Sequence, residues 1–351
     1  MALPAVYNLS GRTLEGQWTI TTPVGWKIDP ATGAVVHNDD GSGGNFSACY
    51  FVERQEGGKT IKAFLKGIDI SRALNATDIL QALKDIVDTA NFEKELLKLC
   101  GDKKMDRVVL ALATGDINLG PNIQDRVPYI IFELADGDVR RRLRLVSDRI
   151  RAAWTLRAVH NATVGLSQLH AAHVAHQDIK PSNLLNFEAA SVFKLGDVGR
   201  ALMEGVPVPH GAFGIAGDPT YAPPELLYGW RDPDWRARRL GCDLYLLGSL
   251  VCFFFLGQGT TPLLMKELAP EHRPARFGGS WAGNYQDVLP FVRRAFSAVL
   301  TDLDEAAPLG VREEVVAAVR ELCEPDMATR GHPLNRSSMH TNRFGLEPVV
   351  I

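Results

Sequence analysis

The sequence predicts an α+β chain of two lobes, a β-rich front carrying one main helix and an α-rich back. Three observations predict it. Short strand-like runs fill the front, a single long stretch of helical period begins at Thr77, and beyond a short polar link, Ala135-Asp-Gly-Asp138, almost every apolar pattern is helical. Two lobes of this kind leave a cleft at their junction, where ligands usually sit. On this reading residues 1–13 are a loose leader, 14–134 the first lobe, 135–138 the hinge, 139–334 the second lobe and 335–351 a C-terminal tail that either docks or frays.

Strand-like text starts near Trp18-Thr-Ile-Thr, and the approach up to Asp40 is read as an insertion. A Gly/Asp/Asn-rich stretch, His37 to Asn45, precedes the apolar run Phe46 to Val52. The charged, glycine-containing Glu53 to Gly58 then reads as a hairpin turn before Thr60 to Lys66 resumes the strand. From Thr77, Ile79, Leu83, Ile86, Val87, Ala90, Leu96, Leu97 and Cys100 fall on one side of a helix, with Asp78 and Asp85 on the other. Val108 to Leu112 and Tyr129 to Leu134 return to strand. In the back half, the thirteen residues Leu244 to Leu256 are apolar all round. That run is shorter than the ~20 residues a membrane span needs, so it reads as a buried central helix.

Composition narrows the classes of protein. Over 351 residues, 38 Lys and Arg stand against 41 Asp and Glu, a balance that gives neither a nucleic-acid footprint nor a disordered acidic chain. Cys49, Cys100, Cys242, Cys252 and Cys323 are odd in number, scattered and without paired metal-ligand spacing, which favours buried thiols in a reducing compartment. The N-terminus lacks a basic start followed by an apolar signal core. A cytoplasmic protein without a membrane span is expected.

One octapeptide carries the chemistry. Residues 176–183 read His-Gln-Asp-Ile-Lys-Pro-Ser-Asn, and fourteen residues after Asn183 the run Val192 to Leu195 delivers Gly-Asp197-Val-Gly199. Two carboxylates, an amide and an ammonium so spaced suit metal-assisted phosphoryl transfer. That reaction asks the protein for an aligned hydroxyl, a metal-held polyphosphate and cationic neutralisation of the transferred group.

With its flanking text, the chain resembles a protein kinase of the eukaryotic type over roughly residues 14–334, and the resemblance implies a role for each matching residue. Asp178 would orient the substrate hydroxyl and accept its proton, Lys180 neutralise the transferred phosphoryl, and Asn183 and Asp197 hold metal. Lys66, in Ala63-Phe-Leu-Lys66, would contact the α- and β-phosphates of ATP. Its ion-pair partner on the helix would be Glu93, in Glu93-Lys-Glu-Leu-Leu97, with Glu95 the rival on a different face. A loop over the phosphates would comprise Ser42, Gly43, Gly44, Phe46 and Ser47, running into Cys49. Phe132 takes the gatekeeper place. Backbone groups of Glu133 and Ala135 would bind the adenine edge, and Asp138 would reach a ribose hydroxyl. Gly217 to Glu225 would close the activation segment, with Arg330 pairing to Glu225 and Asp243 bracing the loop at Asp178.

Departures from the family pattern are as informative. Two of the three loop glycines are Ser42 and Ser47. Gln177 replaces the arginine that commonly senses an activation-segment phosphate, and residues 200–219 contain no Ser, Thr or Tyr. Asp218 stands where threonine is common, a carboxylate able to accept a bond from Lys180 and to raise the pKa of Asp178. Val198 replaces a phenylalanine. The expected activity is transfer of the γ-phosphate of ATP, with magnesium or manganese, to Ser/Thr hydroxyls of a protein substrate without activation-segment phosphorylation. The alternatives are a scaffold of the same fold lacking efficient transfer and a small-molecule kinase.

Overall fold

A computed structural model describes residues 3–37, 47–337 and 343–346. Ser42, Gly43, Gly44 and Phe46 lie outside the described residues. The chain forms two compact units: residues up to 104 with 109–135, and 105–108 with everything from 136 onward.

The first unit is built on an antiparallel sheet of five strands. In chain order the unit has β1 (Thr19–Val24), β2 (Trp26–Ile28), β3 (Val35–His37), β4 (Ser47–Glu56), β5 (Lys59–Ile68), α1 (Ile79–Asp102), β6 (Ala111–Asn118) and β7 (Arg126–Glu133), and the sheet order is β1-β4-β5-β7-β6. Gly57 and Gly58, both at positive φ, make the two-residue β4–β5 turn, a backbone that suits the twist of the flanking strands. β2 and β3 pair as a separate hairpin between β1 and β4. Consequently Val24, which ends β1, lies opposite Cys49, and the intervening connection takes all of residues 25–46.

The described part of the expected leader, residues 3–13, packs into this unit together with residues 14–17. Val6, Leu9 and Leu14 are buried in the same core as Trp18, Trp26 and Tyr50. Gly67 on β5 leaves room for Val6, and the Tyr50 hydroxyl, buried by this packing, donates to the Val6 carbonyl (2.7 Å). The segment covers apolar sheet surface that strand periodicity alone leaves unassigned.

Helix α1 is capped by Asp78, whose carboxylate accepts from the Gln81 N–H (2.9 Å). Its buried residues are Ala90, Glu93, Leu96, Leu97 and Cys100, whereas Ile79 and Val87 are exposed. Periodicity identified the apolar side of the helix but not how much of its length finds a partner. The run Val108 to Leu112 also differs from expectation. Val108 bridges Leu195 in the second unit, where the Arg107 carbonyl accepts from the Leu195 N–H (2.8 Å), and β6 begins only at Ala111.

The second unit is mainly helical: β8 (Gly137–Asp138), α2 (Val139–Arg142), α3 (Asp148–Ala171), β9 (Val174–Ala175), β10 (Leu184–Phe187), β11 (Val192–Leu195), β12 (Leu202–Met203), α4 (Pro224–Leu227), α5 (Trp235–Leu256), α6 (Thr260–Glu267), α7 (Tyr285–Ala306), α8 (Arg312–Leu322) and α9 (Pro333–Ser337). Helix α5 is its axis, packed by α3, α6, α7 and α8. With 22 residues it is longer than its apolar run and long enough to cross a membrane by length, but 83% of its most apolar window is buried inside the protein. Within the C-terminal tail, Phe344 and Leu346 are buried and Asn335 donates to the Gly345 carbonyl (2.7 Å). All five cysteines are buried thiols, burial pushing Cys100 up to about 11 and Cys252 up to about 12.

Candidate active site

In the first unit, Lys66 sits near the end of β5, the central strand of the sheet, with Cys49 on β4 and Ile130 on β7 as its cross-strand partners. Directly opposed residues of an antiparallel pair share a face, so Cys49 and Lys66 are neighbours. The Lys66 ammonium meets both carboxylate oxygens of Glu93, at 2.8 and 3.2 Å. Glu95 is exposed. Glu93 therefore holds the lysine, because it lies on the same helical side as Ala90, Leu97 and Cys100. Glu93→Gln is expected to cut turnover by about tenfold or more, since it loosens a group that must be positioned. Glu95→Gln, an exposed change, is expected to cost less than about twofold in the same steady-state assay.

Other residues of this unit find specific places. Ser47 is buried at the start of β4 opposite Ile68, and the Cys49 carbonyl accepts from the Trp26 indole (3.1 Å). Phe132 is buried on β7. The Glu133 N–H donates to the Leu110 carbonyl (3.1 Å) and the Glu133 carboxylate accepts from the Leu110 N–H (2.7 Å), so this backbone donor is already used within the unit.

In the second unit the octapeptide lies between β9 and β10, held from below by α5. Asp243, fully buried, accepts from the His176 N–H and the Gln177 N–H, each at 2.7 Å, and also bonds the His170 ring (3.0 Å). His176 is fully buried too; its Nε2 donates to the Gly196 carbonyl (3.1 Å) while its Nδ1 accepts from the Asp178 N–H (3.3 Å). One imidazole thus ties the loop to the residue before Asp197. The Gly196 N–H adds a bond to the Asn183 carbonyl (2.8 Å).

Around Asp178 the polar groups converge. One carboxylate oxygen accepts from the Asn183 amide (2.9 Å) and faces the Lys180 ammonium (3.1 Å), and the other accepts from the Asp218 N–H (2.9 Å). Lys180 also reaches the Asp218 carboxylate (3.5 Å). Gly217 packs so closely that a Cβ there would lie 2.1 Å from the Gln177 carbonyl oxygen, so only glycine lets the segment approach. Asp138 is used differently: its carboxylate caps α2 by accepting from the Arg141 N–H (3.0 Å) and pairs with the Arg141 guanidinium (3.5 Å).

Burial raises the pKa of Asp178, with nearby Asp197 acting in the same direction, against the opposing pull of Lys180 and the Asp218 N–H. The expected influence of the Asp218 carboxylate is therefore corrected: Asp218 acts on Asp178 through its backbone N–H, which lowers the pKa. For Lys180, burial is the largest influence and would lower its pKa, but Asp178, Asp218 and Asp197 together raise it. A base with a raised pKa is lost to protonation earlier as pH falls. The acid limb of kcat/KM is expected above the range of a free aspartate, to move higher in Lys180→Met, and to stay in place in Asp218→Ala, which keeps the backbone donor.

The Asn183 amide nitrogen donates to both the Asp178 carbonyl (2.8 Å) and its carboxylate, which assigns its remaining oxygen to any cation. Asp197 is exposed, in a left-handed backbone conformation (φ 54°). An amide oxygen and one carboxylate are hard donors, too few for an all-protein cage, and among the described residues no cluster of three or more His, Cys, Asp or Glu could hold an ion. The set would suit a hard divalent cation that takes its remaining oxygen ligands from outside the protein.

Sequence reasoning missed Arg239. It is buried on α5, its guanidinium donating to the Gln177 side-chain oxygen (3.3 Å) and to the Gly211 (2.9 Å) and Phe213 (3.4 Å) carbonyls. The available signal was its position four residues before Asp243, on the same side of the helix.

A sheet lysine paired with a helix glutamate in the first unit, and an Asp-Lys-Asn loop with an Asp-x-Gly turn in the second, are the kinds of group that phosphoryl transfer uses. The sequence model of the protein kinase domain matches residues 44–272, and the chain belongs to that family. Among similar proteins are the serine/threonine-protein kinase DCLK1 of Rattus norvegicus, 29% identical over 38% of this chain and 34% of the relative, and the serine/threonine-protein kinase SSN3 of Mycosarcoma maydis, 30% identical over 31% of this chain and 16% of the relative. The MAP kinase kinase kinase wis4 of Schizosaccharomyces pombe is 25% identical over 44% of this chain and 12% of its own length. The matched part spans about a third or less of each of these relatives. The family implies use of ATP and a divalent metal.

Proposed function

We propose that this chain is a protein kinase that transfers the γ-phosphate of ATP to Ser or Thr hydroxyls of a protein substrate, with magnesium as the metal and manganese as a substitute. The observation that carries the reading is the polar arrangement on Asp178. Asn183 and the Asp218 N–H fix both carboxylate oxygens, so the group has one orientation in which to align a hydroxyl and take its proton. Lys180, kept charged by three carboxylates, stands beside it to neutralise the transferred group. Asn183 and Asp197 would hold the metal, which, when bound, neutralises phosphate charge. Lys66, fixed by Glu93, would hold the α- and β-phosphates. Ser/Thr preference is supported by Lys180 two residues past Asp178 and by the names of the relatives.

Independence from activation-segment phosphorylation is supported by how residues 201–218 are tied down. Leu202 and Met203 pair with Ala175 and Val174, Arg236 holds Glu204 (3.1 Å), His210 donates to the Ala201 carbonyl (3.0 Å), and Asp218 donates to Asp178. The test is incorporation of label from γ-labelled ATP into the chain itself and a protein mixture, with phosphoamino-acid analysis, comparing wild type with Asp197→Asn. Label on Ser or Thr that the substitution abolishes supports the reading. No incorporation with either metal would favour the scaffold, and label only on a metabolite would favour a small-molecule kinase.

A further inference from the structure

The activation segment makes a contact that its sequence does not announce. Arg239 is 3% exposed and, among the described residues, no carboxylate pairs with it. A buried guanidinium without a paired carboxylate is costly, and hydrogen bonds made by it offset part of that cost. Here Nη1 and Nη2 are spent on acceptors from two other parts of the chain, the Gln177 side chain and the Gly211 and Phe213 carbonyls, while the buried Nε has no hydrogen-bond partner. Gln177 in turn donates from its amide to the Arg239 carbonyl (2.8 Å) and to Asp243 (3.0 Å), and its backbone is left-handed (φ 64°), which turns this side chain toward α5. A neutral amide suits this position because it can accept from Arg239 while donating to Asp243. An arginine at 177 would bring two guanidinium groups together.

We infer that Arg239 is a positioning residue, an internal cation that, through Gln177, locks residues 211–213 to the loop carrying Asp178 and holds the segment in its working place without a phosphate. The inference rests on the kinase reading for its effect on turnover but not for the lock itself. The geometry carries the link onward: four residues past Phe213, Gly217 packs on the Gln177 carbonyl and Asp218 donates to Asp178. Slack at 211–213 is therefore transmitted to the carboxylate that aligns the hydroxyl.

The test uses the full chain as wild type, Arg239→Gln and Arg239→Lys, with amide hydrogen exchange and steady-state kinetics on each. Arg239→Gln is expected to speed exchange across residues 208–218 by about tenfold or more while amides of α5 and α7 keep wild-type rates. Its kcat is expected to fall by about tenfold or more with KM for ATP within about twofold. Arg239→Lys keeps the charge but not the three-way fork, and intermediate protection is expected. Unchanged exchange at 208–218 in Arg239→Gln, or a uniform rise over the whole second unit, would overturn the inference, the latter marking a merely structural residue. Should Arg239→Gln not fold, Arg239→Lys supplies the same comparison. If wild type transfers no phosphate, the kinase reading falls, and exchange alone still decides whether Arg239 is the lock.

Discussion

Asp178→Asn is expected to lower turnover by about 10²–10⁴-fold, the range a positioned proton acceptor contributes. The exchange preserves shape and removes the charge, but hydrogen bonding makes it more than a loss of basicity. The Asp178 carboxylate takes donors on both oxygens, from Asn183 and Lys180 on one and from the Asp218 N–H on the other. An asparagine has one oxygen, so its amide nitrogen must face one of these donors. The variant therefore loses both the proton acceptor and part of the alignment, and KM for ATP, which Asp178 does not hold, is expected to change little. Steady-state kinetics beside a circular dichroism spectrum of the same sample checks this. Activity within tenfold of wild type would remove Asp178 from its assigned role.

The largest expected effect on stability comes from Arg330. Its guanidinium is fully buried and makes a two-pronged pair with Glu225, at 2.7 and 2.8 Å, beside bonds to the Glu324 (2.8 Å) and Gly241 (3.2 Å) carbonyls. It also lies 5.2 Å from the centre of the Tyr245 ring. Arg330→Met leaves Glu225, itself buried, as an isolated charge, for which the expected loss is about 3–5 kcal/mol. For a unit of this size that corresponds to a fall in Tm of roughly 10 °C. Pairing Arg330→Met with Glu225→Leu removes the stranded charge, and the double variant is expected to lose less than the sum of the singles. Denaturant titration of all four proteins checks both statements. Strict additivity would mean that the pair is not coupled.

How much of this was legible in the sequence depended on how local the cause was. The octapeptide and the Asp197 turn are contiguous text, and Gly57-Gly58 announces its own turn. The choice of Glu93 over Glu95 followed from periodicity, because a helix residue shares its side with Leu97 or does not. What stayed hidden was decided by partners far away in the chain. Residues 3–17 have no period that marks them as core; they are buried because the sheet needs cover. Val108 leaves the strand reading because its backbone answers Leu195. The charge of Asp218 pointed to its side chain, whereas its N–H is what touches Asp178. Arg239 acts only because Gln177, 62 positions earlier, turns its amide toward α5.

A kinase whose activation segment is held by its own groups needs no phosphate on that segment. The most direct measurement is the initial rate of label transfer from γ-labelled ATP to Ser and Thr by protein treated with phosphatase, against untreated protein, in magnesium. Equal rates, with phosphoserine or phosphothreonine as the product, are predicted. A treated protein that loses most of its rate and regains it on rephosphorylation of one site would contradict the account, and so would an untreated protein that transfers nothing.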